Sequence, residues 1–244
     1  MTTIKPAIEI AARAVVAART EALFRSSGAF REGHFLLKSG RHGDAYVEKF
    51  QVLSDPVATS ELCGFWAARV GSGTADPMVD LVAGPTTGGV ILAFETARQL
   101  GVRSIFAEEV RAADGTTHRE FRRGFRIEPG ERVLLVDDIL TTGGSLVAML
   151  PAVEAMGGDI VECVVLVDRS DGRATLTSPT TGRIYPLRSL WQLDLPTYEP
   201  GPKTCPRCAD GTELHAPGST GTGTGPAAGG PAAGGSGAGG SGAA

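Results

Sequence analysis

Apolar residues recur along the chain with two different periods, and the changes of period mark the elements. Ile8, Ala11, Ala12, Val15, Ala18 and Ala22 return at helical spacing, which predicts a helix over 6–25. Within 33–53, the pieces FLL and AYVEKFQVL read as short strands around the turn-rich SGRHGD. Asp55-Pro56 is a cap followed by proline at the first helical position, so a helix is expected over 56–70. A strict alternation follows. DLVAG (80–84) is a strand, VILAFETARQLG (90–101) a helix closed by Gly101, and RSIFAEEV (103–110) a strand. RVLLVDDI (132–139) is a strand, SLVAMLPAVEAMGG (145–158) a helix, and DIVECVVLVDR (159–169) a strand. Strands that are apolar throughout and separated by helices predict an α/β protein with a mainly parallel sheet covered on both faces.

The pattern stops near the end. From Ala216 to Ala244 the chain is Gly, Ala, Ser, Thr and Pro, with no charge and no large apolar side chain. Such a segment buries too little surface to offset its ordering entropy, so 216–244 is expected to be a disordered tail behind one domain of residues 1–215. The totals exclude some classes. The chain has 244 residues, enough for one large domain, and a net charge of −4, which argues against a general nucleic-acid binder. No apolar run approaches a membrane span, and the first residues lack a continuous apolar signal region; a cytoplasmic protein with no membrane partner is expected. Four cysteines do not make a disulfide scaffold.

The chemistry concentrates in VLLVDDILTTGGSL (133–146). A greasy strand runs into two adjacent carboxylates, Asp137 and Asp138, which repel each other and resist burial. Ligands of open α/β sheets bind at the carboxyl ends of strands, where this pair sits. Thr141, Thr142, Gly143, Gly144 and Ser145 then lead into a helix whose free amides and dipole suit a phosphate. Acids beside a phosphate cradle make sense facing sugar hydroxyls, or Mg²⁺ that a polyphosphate brings. No Gly-Lys-Ser/Thr and no G-x-G-x-x-G after a strand is present, which excludes the Walker and dinucleotide patterns.

VLLVDDILTTGGS resembles the phosphoribosyl-pyrophosphate motif of type I phosphoribosyltransferases. GHFLLKSGRHGDAYVEKF (33–50), LVAGPTTGG (81–89) and LVDRSDG (166–172) are similar to segments of orotate phosphoribosyltransferases, and LPTYEPGPKTCPRCADG to a branch of them ending in Cys-x-x-Cys. The resemblance covers roughly residues 20–200. It implies the type I fold, with a core over about 55–175 and a small hood from about 25–53 and 180–200. It implies phosphoribosyl transfer to orotate with Mg²⁺ bound through the pyrophosphate, by a homodimer acting on small molecules. On that match Lys38, Asp137 and Asp138 are the catalytic candidates. The donor would meet Thr86, Thr87, Asp137, Asp138, Ile139, Leu140, Thr141, Thr142, Gly143, Gly144 and Ser145. Orotate would meet Tyr46, Thr141 and Arg169, the arginine pairing its carboxylate. A salvage transferase for another base, or a non-catalytic module sensing the donor, are the competing readings.

The chain departs from the common pattern of that family. Glu108 and Glu109 stand where Arg and Lys are expected, and Thr87 where relatives carry Lys. Arg111, Arg119, Arg122, Arg123 and Arg126, with His118, form either a replacement clamp or a solvated basic hairpin. No metal ligand is assigned. Cys205 and Cys208 have half of a zinc knuckle's spacing and only His215 lies near; reduced thiols at a terminal turn are expected, with a site completed by another subunit as the alternative. Cys63, Cys163 and Trp66 are expected in the core, His34 and His42 as ordinary polar loop residues, and Trp191 is a candidate for a subunit interface.

Overall fold

The structure is a computed structural model. It describes residues 4–37, 39–71 and 78–217, with the backbone alone at 4–11. Lys38 and nearly all of the expected tail lie outside the described residues. In chain order the elements are α1 (Ile4–Ser26), β1 (Phe30–Leu36), β2 (His42–Val47), α2 (Lys49–Leu53), α3 (Pro56–Gly71), β3 (Leu81–Pro85), α4 (Gly88–Leu100), β4 (Arg103–Arg111), β5 (Thr117–Glu120), β6 (Arg132–Leu140), α5 (Gly144–Ala155), β7 (Asp159–Asp168), β8 (Thr175–Thr177), β9 (Ile184–Gln192), β10 (Thr197–Tyr198) and α6 (Pro206–Ala209).

The main sheet has seven strands in the order β5-β4-β3-β6-β7-β9-β8. Its five inner strands are parallel, and the edge strands β5 and β8 are antiparallel to their neighbours. From β3 the chain winds outward through α4 to β4; from β6 it winds the other way through α5 to β7. The switch point therefore lies between β3 and β6, the place where such sheets open a crevice. Strand β6 feeds two cores because its side chains alternate between faces. Leu134 and Val136 join Phe24, Leu62, Trp66 and Leu92 on one side. Val133 and Leu135 join Leu146, Met149 and Leu150 of α5 on the other.

Local signals account for the helix ends. Asp55 caps α3, its Oδ1 accepting from the amides of Val57 at 2.9 Å and Ala58 at 3.2 Å. Gly101 closes α4 in the left-handed region, φ 71°.

The hood differs from its sequence reading in three ways. AYVEKFQVL is not one strand: β2 ends at Val47, Glu48 caps Phe50, and KFQVL turns into α2. An apolar run this short fits either period, and the cap decides. The hood sheet is β1-β2-β10, so of 180–200 only Thr197–Tyr198 belongs to it. Ile184–Gln192 instead pairs in parallel with β7 in the main sheet, where Tyr185, Leu187 and Trp191 are buried. Trp191 is therefore core and not interface, edge-on to Phe24 at 5.8 Å and Phe30 at 5.6 Å. His34 and His42 are not loop residues; both lie on hood strands and are buried. Cys63, Cys163 and Trp66 are in the core as expected.

Candidate active site

At the switch point the ends of β3 and β6 bring two segments together. Alternation along β6 sends Asp138 toward the α4 face and Asp137 toward the α5 face. Asp138 is 3% exposed and reaches α4 so closely that a Cβ on Gly88 would stand 2.0 Å from its Oδ2. A second contact of the same kind holds β3 against α4, since a Cβ on Gly84 would lie 2.2 Å from the carbonyl oxygen of Gly89. The glycines of AGPTTGG are thus required by close approach. The Asp138 carboxylate is balanced by Lys49, whose Nζ donates to Oδ1 at 2.9 Å and stands 2.8 Å from Oδ2. Lys49 opens α2, in the stretch read from sequence as strand, which is why its role was not legible there.

Asp137 is 8% exposed and has no cation within hydrogen-bonding distance among the described residues; its Oδ1 accepts from the amide of Asp138 at 2.9 Å. Burial, then the neighbouring Asp138 charge, hold its carboxyl well above the ordinary range, opposed by the bond from the Asp138 amide and then by the fields of Lys49 and Arg119. The pair is therefore an under-compensated charge aimed at the crevice.

Arg119 stands apart from the rest of the basic hairpin. The segment forms an antiparallel β4–β5 hairpin, and three of its basic residues pair on the surface: Arg123 with Glu108 at 2.6 Å, Arg122 with Glu120 at 3.0 Å, His118 with Glu120 at 2.7 Å. Arg119 alone is buried, and its Nη1 donates to Thr86 Oγ1 at 2.9 Å. It is the one hairpin cation delivered to the loop after β3; Glu109 lies 3.5 Å from it.

Past β6, Gly143 takes φ 82° and caps α5, whose first internal bond is Val147 N to Gly143 O at 2.9 Å. The amides of Ser145 and Leu146 precede that bond at the helix N-terminus, and that of Gly144 donates to Thr142 Oγ1 at 3.4 Å. Thr141, Thr142, Gly144 and Ser145 are exposed, and Arg173 steadies the loop by donating to Thr142 O at 2.8 Å. Leu140 is buried in the α5-side core, and Ile139 packs, partly buried, against the core on the opposite face. Thr87 precedes α4 without capping it.

Arg169 follows β7, beside β6, its amide bonded to Leu140 O at 2.8 Å. Its Nε is buried without a hydrogen-bond partner, and burial pulls the guanidinium below the usual arginine value. Tyr46 of β2 is half-buried and leans on Phe35, ring centroids 5.6 Å apart.

A mainly parallel sheet with an acid pair, a hydroxyl–glycine loop and a helix N-terminus at its switch point defines the class: the phosphoribosyl transferase domain family matches residues 60–181. The orotate phosphoribosyltransferase of Caldicellulosiruptor bescii is 40% identical over 197 residues, 81% of this chain and 94% of that one. That of Chlorobaculum parvum is 39% identical over 206 residues, 84% of this chain and 97% of the other. The crystal structure of the Aeropyrum pernix orotate phosphoribosyltransferase superposes with a TM-score of 0.56 at 26% identity, covering 70% of this chain and 92% of that one. The chain belongs to the orotate phosphoribosyltransferase family.

Proposed function

We propose that this chain transfers the phosphoribosyl group of 5-phosphoribosyl 1-pyrophosphate to orotate, giving orotidine 5-phosphate and pyrophosphate in UMP biosynthesis. The observation that carries the choice of base is Arg169. A buried guanidinium Nε–H without a partner is costly, about 1–3 kcal/mol, unless a ligand completes it. The orotate carboxylate supplies the missing anion, in the two-pronged geometry that arginine favours. A neutral base supplies none.

In the reaction the bond from ribose C1 to the pyrophosphate oxygen breaks, its electron pair leaving with pyrophosphate, and a ring nitrogen of orotate bonds to C1. The transition state resembles an oxocarbenium ion, so the protein's work is placement and charge. Asp137 and Asp138 hold the ribose hydroxyls and set negative potential beside the cationic sugar. The amides at the start of α5, with Thr141, Thr142 and Ser145, hold the 5-phosphate. Arg119, with Thr86 and Thr87, faces the departing pyrophosphate; Lys38 is proposed to join it, and Tyr46 and Thr141 to border the base. The residues fit Mg²⁺ brought by the donor. Asp137, with no counter-cation in hydrogen-bonding distance among the described residues, would face the ion, which when bound would neutralise pyrophosphate charge. Among the described residues no helix is long and apolar enough to cross a membrane. The working form is proposed to be a cytoplasmic homodimer.

The test is loss of orotate absorbance with donor and Mg²⁺, with uracil and adenine in parallel. Wild type should use orotate far better than either. Arg169→Ala should lose roughly 30-fold or more in kcat/KM for orotate, about 2–5 kcal/mol for a charge-assisted ligand pair, and spare donor affinity. Equal losses for orotate and uracil, or collapse of donor binding, would overturn Arg169 as the carboxylate reader.

A further inference from the structure

The pair Cys205/Cys208 is completed by two histidines from the other end of the sequence. His34 lies on β1 and His42 on β2, on either side of the hairpin turn at 37–41. The register of the two strands slips between Glu32 and Phe35, the bulge in which His34 sits, and leaves the two rings edge-to-face with centroids 4.6 Å apart. The chain returns more than 150 residues later. Thr197–Tyr198 pairs with β2, and Cys205 and Cys208 follow at the start of α6. His215, the ligand that sequence proximity suggests, is occupied elsewhere. It pairs with β1 through its backbone, its amide donating to His34 O at 2.8 Å.

The four potential ligand atoms converge. All lie within 4.8 Å of one another. His34 Nε2 is 2.7 Å from His42 Nδ1 and 3.6 Å from each cysteine sulfur, and Cys208 Sγ is 3.3 Å from His42 Nδ1. A tetrahedron of two sulfurs and two nitrogens around Zn²⁺ has edges of roughly 3.3–3.8 Å, from bond lengths of about 2.3 and 2.0–2.1 Å. Three of these four edges fall near that range, and the nitrogen–nitrogen edge needs only to widen. Two further observations point to a metal. His34 Nδ1 lies 2.8 Å from Thr212 O, a donation that leaves Nε2 bare as a ligand and resembles the outer-shell bond of metal-binding histidines. The charge also balances in a buried place. His34, His42 and Cys205 are 3%, 6% and 1% exposed, and two thiolates with two neutral imidazoles cancel a divalent ion.

We propose that His34, His42, Cys205 and Cys208 form a closed structural zinc site that staples the β1–β2 hairpin of the hood to the carboxyl-terminal segment. Four protein ligands leave no open position, so the ion is structural. On binding, both thiols lose their protons to solvent. The staple holds the two strands that flank Lys38 in sequence, and β2 carries Tyr46. The site itself stands whether or not the base is orotate.

The experiment uses the full chain, purified under reducing conditions. Elemental analysis should find about one zinc per chain, released when the thiols are modified, and Cys208→Ser and His42→Ala should each lower it to below about 0.2. Because a variant could fail to fold, the wild type is also stripped of metal and titrated with Co²⁺ alone. Tetrahedral ligand-field bands and a thiolate-to-cobalt charge-transfer band should rise to one equivalent and be displaced by Zn²⁺. Stripping should lower Tm, and zinc should restore it. Failure of stripped wild type to take up either ion would overturn the proposal. So would a Cys205–Cys208 disulfide in the freshly purified protein, or zinc retained after both cysteines are replaced.

Discussion

Two sets of buried carboxylates lie on adjacent strands of one sheet and are treated in opposite ways. Glu162, 4% exposed near the start of β7, is clamped by Arg188 at 2.6 Å and by Arg69. Of Asp137 and Asp138, similarly buried at the end of β6, only Asp138 has a hydrogen-bonded cation, Lys49, among the described residues. The first arrangement satisfies its charge inside the protein. The second leaves charge to be satisfied by what enters the crevice. On the proposed function, the difference separates a structural acid from a functional one without any appeal to sequence motif. Arg169 is the cationic counterpart of the second kind, half-buried with its Nε unpartnered.

The sharpest break of this contrast is Asp137→Asn with Asp138→Asn. Transfer should fall by about 10³-fold or more, roughly 4 kcal/mol of barrier, while circular dichroism and Tm show an intact fold. Near-normal turnover in the double variant would remove the functional half of the comparison.

A smaller effect is expected at the hairpin. Arg119→Met should cut kcat/KM for the donor by about 30-fold, since a buried cation facing a charged ligand is lost. Arg122→Ala and Arg123→Ala should stay within about 2-fold, because exposed pairs contribute little. Similar losses in all three would make the whole hairpin the clamp.

The structural half is probed by Glu162→Gln. It removes the charge that Arg188 and Arg69 clamp, and both arginines are partly exposed, so the cost is discounted to about 2 kcal/mol, or roughly 4–8 °C in Tm. Turnover should remain within about 2-fold; an unchanged Tm with lost turnover would invert the assignment.

The smallest effect is in pH. The raised Asp137 carboxyl keeps its proton in the folded chain where the unfolded chain, with an ordinary value of about 4, has lost it. The folded state then binds more protons, so this group's contribution to stability is full below that value and is lost as pH rises through the folded one. Asp137→Asn should flatten that slope, and urea midpoints at about pH 5 and about pH 8 measure it. An unchanged slope would mean that the buried pair is not strained.

The alternation of apolar strands and helices, the caps at Asp55 and Gly101, and the acid pair with its Thr-Gly loop were legible because each is a local pattern. Period, cap chemistry and backbone freedom act within a few residues, and the apolar run of β6 announces a central strand by itself. The hood was less legible. KFQVL could follow either period, and only the turn after Val47 makes it α2 and places Lys49 against Asp138. Arg119 could not be told from Arg122 or Arg123, since all three share one basic run and only the pairing register of β4 with β5 buries one of them. His34, His42, Cys205 and Cys208 are separated by most of the chain. The sequence by itself determined which residues could bind phosphate, carboxylate or metal, because that depends on side-chain chemistry. Tertiary structure alone decided which of them meet and which charges go uncompensated, because contact and desolvation depend on the packing of distant segments.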